Sequence, residues 1–328
     1  MSGRPFAGRL ALPGEVLVRE VVRPLWTFRL GRASMDGLLR RRADGLIRLL
    51  HIGGEQVVVA VAQPSPDRVV FAARAASDEL ARAGIARMRF AVGVDDDLQA
   101  FHERFREDPV IGAAVRAYPG LRVRRSPDPW ETLAWAITEQ LIELQRAVLI
   151  QRRMIRALGP RCARTGLRDV PAAAVIAKQA PALLESFGLA AKRALAMRSA
   201  AAEVAAGRID WAAGTAVNGT AGAPLTGVFA RLLAIREIGP WTVEMLALHG
   251  LGRLDVIPAG DLGYLKLVGR LNGVHAEVDD VHAFFEPYAP WAGLAGEYLR
   301  LSRLARPRRP IPRAGTRPSA AVPRTAAA

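Results

Sequence analysis

The residues best placed to do chemistry lie in two neighbouring stretches. The first, residues 232–250, reads LLAIREIGPWTVEMLALHG: a helix ending at Arg236 meets a tight turn, Glu237-Ile238-Gly239, and a second helix begins at Pro240. Proline suits that first turn because its missing N–H costs nothing there. The free N–H groups at the start of the second helix, with the helix dipole behind them, can hold a phosphate, and Gly239 lets another molecule approach the backbone. On spacing alone, an ordinary connection between two helices explains the pattern better. The second stretch, residues 255–264, reads DVIPAGDLGY, and its turn at Pro258 and Ala259-Gly260 delivers Asp261 to the start of a helix carrying Leu262, Leu265 and Val268. An aspartate there serves as an N-cap, worth about 1 kcal/mol. Considered by itself, that capping role accounts for Asp261.

The elements that must position these residues fall into two groups. Short β-branched runs at 21–30, 46–51, 56–62 and 69–73, separated by Gly53-Gly54 and by turn residues at 64–67, predict a small antiparallel sheet. Ser77-Asp78-Glu79 opens a helix, and 95–106 reads as another. After Pro119-Gly120 the pattern becomes helical. Asp128 can cap, Pro129 fits the first helical position, Glu131 can complete a capping box, and the apolar spacing from Trp130 predicts one long helix as far as Gly159-Pro160. Further helices are expected at 172–178, 181–186, 192–206, 228–236, 240–249, 262–271, 279–285 and 295–304. The expected fold is α+β: an N-terminal module over 1–115 built on a small antiparallel sheet, then an all-α module over 116–305 with its hairpin at 227–249.

Composition bounds the function. The chain has 328 residues, 51% of them hydrophobic and 23% charged, which suits two globular domains and excludes disorder throughout. A net charge of +15 favours polyanionic partners, but the segment from Arg303 onward holds seven arginines and no acid, leaving +8 for the rest. Residues 306–328, rich in Pro, Arg and Ala, read as a disordered basic tail. The single cysteine, Cys162, excludes an internal disulfide, a cysteine zinc site and a cysteine-held iron–sulfur cluster. The histidines form no ligand pair at helical spacing, and His102-Glu103 lacks a second histidine, so no metal site is expected. No dinucleotide or phosphate-loop motif, signal peptide or membrane segment is recognised; a cytoplasmic, nucleoid-associated protein is the expectation. Arg40-Arg41-Arg42 reads as a solvated turn, whereas Arg122, Arg124 and Arg125, just before the long helix, are better placed for phosphate.

Taken in order, these pieces resemble the helix–hairpin–helix DNA glycosylase superfamily, in particular its bacterial 3-methyladenine DNA glycosylase II type. Ile238-Gly239-Pro240-Trp241-Thr242 matches the family's hairpin ending, and Ile257-Pro258-Ala259-Gly260-Asp261, with Asp255 before it, matches the loop that carries its catalytic carboxylate. Asp128-Pro129-Trp130-Glu131 with Ala136-Ile137 and Gln140 is similar to an upstream family helix, as is Phe187-Gly188-Leu189 with Lys192-Arg193 to another segment. The resemblance covers roughly 119–302, and more weakly the sheet, which in this family is a TATA-binding-protein-like half.

The resemblance implies a monofunctional hydrolase that removes alkylated or related damaged purines from duplex DNA in base excision repair. It implies Asp261 as the catalytic residue, Trp241, Met245 and Tyr264 around the flipped base, and Ile238, Gly239 and Thr242 on a phosphate. Superfamily members that also cut the strand carry a lysine where Trp241 stands. No cofactor is required; a monovalent cation on hairpin carbonyls is implied only by likeness, and the expected state is a monomer. This chemistry requires that Asp261 face a cleft and not be paired off with an arginine deep in the interior. Three departures bear on substrate range: Glu237 for the hairpin's first glycine, Met245 for an aromatic, and Ala292-Gly293 for the Arg-Ser that usually follows Pro-Trp. Two alternatives remain: a non-catalytic DNA-binding or damage-sensing protein of this fold, and a glycosylase for oxidised bases.

Overall fold

A computed structural model describes residues 15–42, 45–215 and 224–302. The chain opens with strands β1 (Val16–Val22), β2 (Leu39–Arg42), β3 (Gly45–Ile52), β4 (Glu55–Ser65) and β5 (Arg68–Ala75). They form an antiparallel sheet in the order β1-β5-β4-β3-β2. Alternation in β4 explains why both faces are covered. Val57, Val59 and Val61 meet Ala81, Ile85 and Met88 of α1 (Asp78–Val92), while Val58 and Ala60 turn with Ile47 and Leu49 toward Cys162 and Leu167. As expected, Ser77 caps α1 by accepting the Leu80 N–H at 3.2 Å.

Two strand expectations are corrected. Residues 23–30 leave the ladder after Val22, because Pro24 has no N–H to contribute. Gln63 holds that segment instead, accepting from Leu30 N at 2.7 Å and donating to Phe28 O at 2.9 Å. Arg40, Arg41 and Arg42 form edge strand β2 rather than a turn, and their exposed guanidinium groups discourage pairing with another chain.

The helices are α2 (Gln99–Phe105), α3 (Gly112–Ala117), α4 (Pro129–Glu139), α5 (Leu144–Leu158), α6 (Ala173–Ala177), α7 (Pro181–Ser186), α8 (Ala191–Ala205), α9 (Trp211–Gly214), α10 (Leu225–Val228), α11 (Ala230–Leu233), α12 (Pro240–Met245), α13 (Leu262–Asn272), α14 (Val278–Phe285) and α15 (Ala292–Leu301). A π-helical turn, Leu246–Gly250, continues α12. One core joins α4, α5, α8 and α12 around Trp130, Leu133, Met197 and Leu246. Another joins α2 and α3 to α13, α14 and α15 through Phe101, Phe105, Phe285 and Tyr298. Residues 99–117, placed in the first module by the expected 115/116 boundary, share this core with the C-terminal helices.

The helix expected from Asp128 to Gly159 is two helices, α4 and α5, separated at residues 140–143. Its start is as expected, with Asp128 accepting the Trp130 N–H at 2.9 Å. The capping box does not form, because the Glu131 carboxylate goes instead to Arg48 of β3 at 2.6 Å. Arg48 also meets Asp169 at 3.1 Å, which accepts the His51 N–H at 2.8 Å. This buried cluster joins sheet to helices, and its desolvation pushes the Glu131 carboxyl up to about 7 even against the guanidinium. Among the described residues no helix is long and apolar enough to cross a membrane. The basic tail, the end of the helix expected to reach residue 304, and residues 216–223 lie outside the described residues.

Candidate active site

The hairpin turn between α11 and α12 is unusual at one residue. Glu237 has φ 72°, the left-handed region in which a glycine is unstrained, whereas Gly239 has φ −108° and ψ −177°, open to any residue. A side chain built on Gly239 would meet nothing within 4 Å. No internal contact requires a glycine there, and the open space leaves room for close approach from outside. The Ile238 N–H is used by Ile235 O at 3.0 Å, and the Thr242 N–H by Gly239 O at 3.0 Å. Thr242 is 1% exposed, and its hydroxyl accepts from Gln140 Nε2 at 3.0 Å. Ile238 and Thr242 are therefore spent on the hairpin itself, whereas the N–H groups of Gly239 and Trp241, like those of Arg236 and Glu237 before them, make no backbone hydrogen bond among the described residues.

The break between α4 and α5 adds a feature that sequence reasoning missed. Leu141 has φ 53° and is 91% exposed, a strained and solvated conformation for a leucine. Its neighbour Gln140 donates to Glu237 O at 2.8 Å as well as to Thr242, and Arg193 donates to Gln140 O. The projecting leucine and the hairpin turn are thus one tied unit. Around it lie Lys192 and Arg236, 4.0 and 3.9 Å from the Glu237 carboxylate, and Arg193, whose charge is disfavoured by burial and by Arg146. No sequence signal marks the break, because Gln-Leu-Ile-Glu continues the helical spacing.

Asp261 is the N-cap of α13, as its position predicts, accepting the Gly263 N–H at 2.7 Å. The same oxygen is 3.0 Å from Arg300 Nη2 of α15. The pair lies at the surface, with 23% of the aspartate and 41% of the arginine side chain exposed, so it is not an interior pairing. Gly260, just before Asp261, faces Trp241, with only 3.5 Å between a built side chain and the Trp241 Cβ. Trp241 is partly exposed with its Nε1 buried and unpartnered; Met245 follows one turn later on the same helix face, also partly exposed. Tyr264 is 1% exposed and lies beneath the Arg300 guanidinium, 4.2 Å from its ring, so it floors the arginine rather than walling a base.

Three further residues complete the site. Glu297 accepts from the Tyr264 hydroxyl at 3.3 Å and is 3.9 Å from Arg300 Nε. His249 donates Nδ1–H to Arg124 O at 2.7 Å, and burial lowers its pKa, which keeps the imidazole neutral beside Asp261, Arg300 and Glu297. Glu244 of α12 accepts the Ala259 N–H of the turn that carries Asp261, and burial pushes its carboxyl up to about 7. Glu297 and Arg300 stand one turn apart at the charged edge of the largely buried α15, an edge that its apolar spacing hides in the sequence. Asp255 pairs with Arg253 at 2.7 Å and is structural.

The glycine at 293 explains one departure from the family pattern. A side chain there would stand 2.3 Å from Val256 O, so α15 packs against residues 254–256 too closely for the serine of the usual pair. Arg122 and Arg125, expected at phosphates, are 7% and 6% exposed and engaged with Asp96; Arg124 is exposed. Cavities of about 450 Å³ beside Arg89 and Arg125, and about 250 Å³ beside Arg48 and Trp211, take in neither Asp261 nor Trp241.

No protein-family model matches the chain. It is 26% identical over 302 residues to a probable bifunctional transcriptional activator/DNA repair enzyme of Mycobacterium tuberculosis, covering 90% of this chain and 58% of that protein. The chain thus spans under two thirds of that relative's length. It is 25% identical over 210 residues to a DNA-3-methyladenine glycosylase of Bacillus subtilis, covering 63% of this chain and 67% of the relative. Among solved structures it matches the 3-methyladenine DNA-glycosylase of Archaeoglobus fulgidus with a TM-score of 0.73 and 18% identity, over 86% of this chain and 97% of that one. The chain thus shares its α+β fold with the Archaeoglobus fulgidus 3-methyladenine DNA-glycosylase, and its sequence resembles that of DNA-3-methyladenine glycosylases.

Proposed function

We propose that the protein is a monofunctional DNA glycosylase, acting as a monomer, that hydrolyses the N-glycosidic bond of alkylated or related damaged purines in duplex DNA. The observation that carries this reading is the arrangement of Leu141, the hairpin and Asp261 along one continuous set of contacts. Gln140 ties the projecting leucine to the hairpin turn, and Trp241 of the hairpin helix packs on the turn that presents Asp261. A target base inside a duplex must be extruded, at a cost of about a few kcal/mol, and an apolar wedge fills the gap it leaves. Leu141 suits that wedge, the Gly239 and Trp241 N–H groups suit a flanking phosphate, and Trp241 and Met245 suit the wall of the base site.

Asp261 then stabilises the cationic sugar that develops as the base leaves and steers the attacking water. Trp241 stands where a strand-cutting enzyme needs an amine, so the product is an abasic site. A monovalent cation at the hairpin would bind through carbonyls; those of Ile235 and Glu237 each accept one hydrogen bond and keep a second lone pair, which is compatible with such an ion. Duplexes carrying 3-methyladenine, hypoxanthine, ethenoadenine or 8-oxoguanine, incubated with the protein, test the reading. Breaks that appear only after alkali support it, and breaks without alkali mean a lyase. Salt-dependent binding without excision of any lesion means a damage sensor, which the Asp261–Arg300 pair and the Glu237 charge would favour.

A further inference from the structure

Beside Asp261 lie a cation and a second anion on one helix. Arg300 reaches Asp261 at 3.0 Å, rests 4.2 Å over the Tyr264 ring and is 3.9 Å from Glu297. Tyr264 is fully buried, so its ring is a fixed floor, and a side chain at Gly296 would come within 2.7 Å of its hydroxyl. The buried face of α15 is built by Leu294, Ala295, Tyr298 and Leu299, so the helix holds without either charge.

A guanidinium here has opposite effects on two classes of leaving base. An alkylated purine is already cationic and departs neutral; a fixed positive charge repels it and offsets the help Asp261 gives the sugar. A neutral damaged purine departs with the electron pair of the broken bond, and a guanidinium donating to its carbonyl or ring nitrogen stabilises that negative charge. We infer that Arg300 is the specificity-determining residue of this site, turning it toward neutral damaged purines with an acceptor edge, of which hypoxanthine is an example, and away from cationic ones. Water oxygen bonds to C1′ as the C1′–N9 bond breaks; the pair leaves on N9, and the proton that water loses ends on the released base. Glu297 opposes Arg300 in sign. The inference rests on the glycosylase reading and adds a substrate class to it.

The test compares single-turnover excision of hypoxanthine and of 7-methylguanine from matched duplexes by wild type, R300M, R300K and E297Q. The ratio of hypoxanthine to 7-methylguanine excision should fall at least about tenfold in R300M, about 1.4 kcal/mol. R300K should keep most of the ratio, and E297Q should raise it. Equal loss on both bases in R300M, or a ratio that does not respond to either charge, means that Arg300 only supports the fold and overturns the inference while leaving the glycosylase reading intact. No excision of either base by wild type overturns both.

Discussion

Glu244→Gln separates charge from hydrogen bonding at the turn that carries Asp261. The Glu244 side chain is 13% exposed, accepts the Ala259 N–H, and lies 3.9 Å from the imidazole of His282. Burial raises its carboxyl from the ordinary 4.5 to about 7. The folded protein therefore holds this proton more tightly than the unfolded chain does. Its contribution to stability is fully present below pH 4.5 and is lost as pH rises through about 7. At about 1.4 kcal/mol per pH unit, the span is worth about 3 kcal/mol. Glutamine keeps an acceptor for Ala259 and cannot ionise, so E244Q should gain about 3 kcal/mol relative to wild type between about pH 4 and pH 8. Urea unfolding of both proteins across that range measures the difference, and Glu131, common to both, cancels. Parallel stability profiles would show that the Glu244 carboxyl is not desolvated, and the burial assigned to it beside the Ala259 turn would be wrong.

Other substitutions probe the hairpin and its neighbours. L141G relieves the φ 53° strain, so it should stabilise the fold by about 1 kcal/mol in urea unfolding while slowing excision and weakening binding to lesion-containing duplex; unchanged excision would remove Leu141 from the site. E237G relieves φ 72° and removes a negative charge beside Lys192 and Arg236, so it should raise both stability, by about 1 kcal/mol, and affinity for undamaged duplex. Fluorescence anisotropy showing weaker binding would mean that Glu237 helps hold DNA. G293A places a methyl group 2.3 Å from Val256 O and should cost about 1–3 kcal/mol in thermal or urea unfolding; a neutral effect would mean that α15 can move away from the turn.

The chain order of hairpin and aspartate carried the site into view, because a turn, a proline at the first helical position and an N-cap are local signals that a single sequence displays. The N-cap role of Asp261 and the start of α4 at Asp128 follow from such signals, whereas Trp241 is drawn to the site only by the resemblance of the ordered motifs. What stayed hidden depends on partners distant in sequence. The Glu131 side chain left its local capping box for Arg48, 83 residues away. Arg300 reached Asp261 and Tyr264 from a helix whose apolar spacing hid its charged edge. The α4–α5 break is set by Gln140 bonding to Glu237 and Thr242, contacts about 100 residues apart that overrule a continuous helical pattern. Arg122 and Arg125 looked free in a basic run and proved to be bound to Asp96.

Asp261→Asn is the most direct test of the chemistry. Asparagine caps a helix as well as aspartate does, so α13 and the turn before it should keep their stability. Single-turnover excision of a hypoxanthine or 3-methyladenine lesion, measured with affinity for the same duplex and with urea unfolding, isolates the carboxylate. Excision should fall by about a hundredfold or more with binding and stability retained. D261N protein that excises within a few-fold of wild type would contradict the role given to that carboxylate.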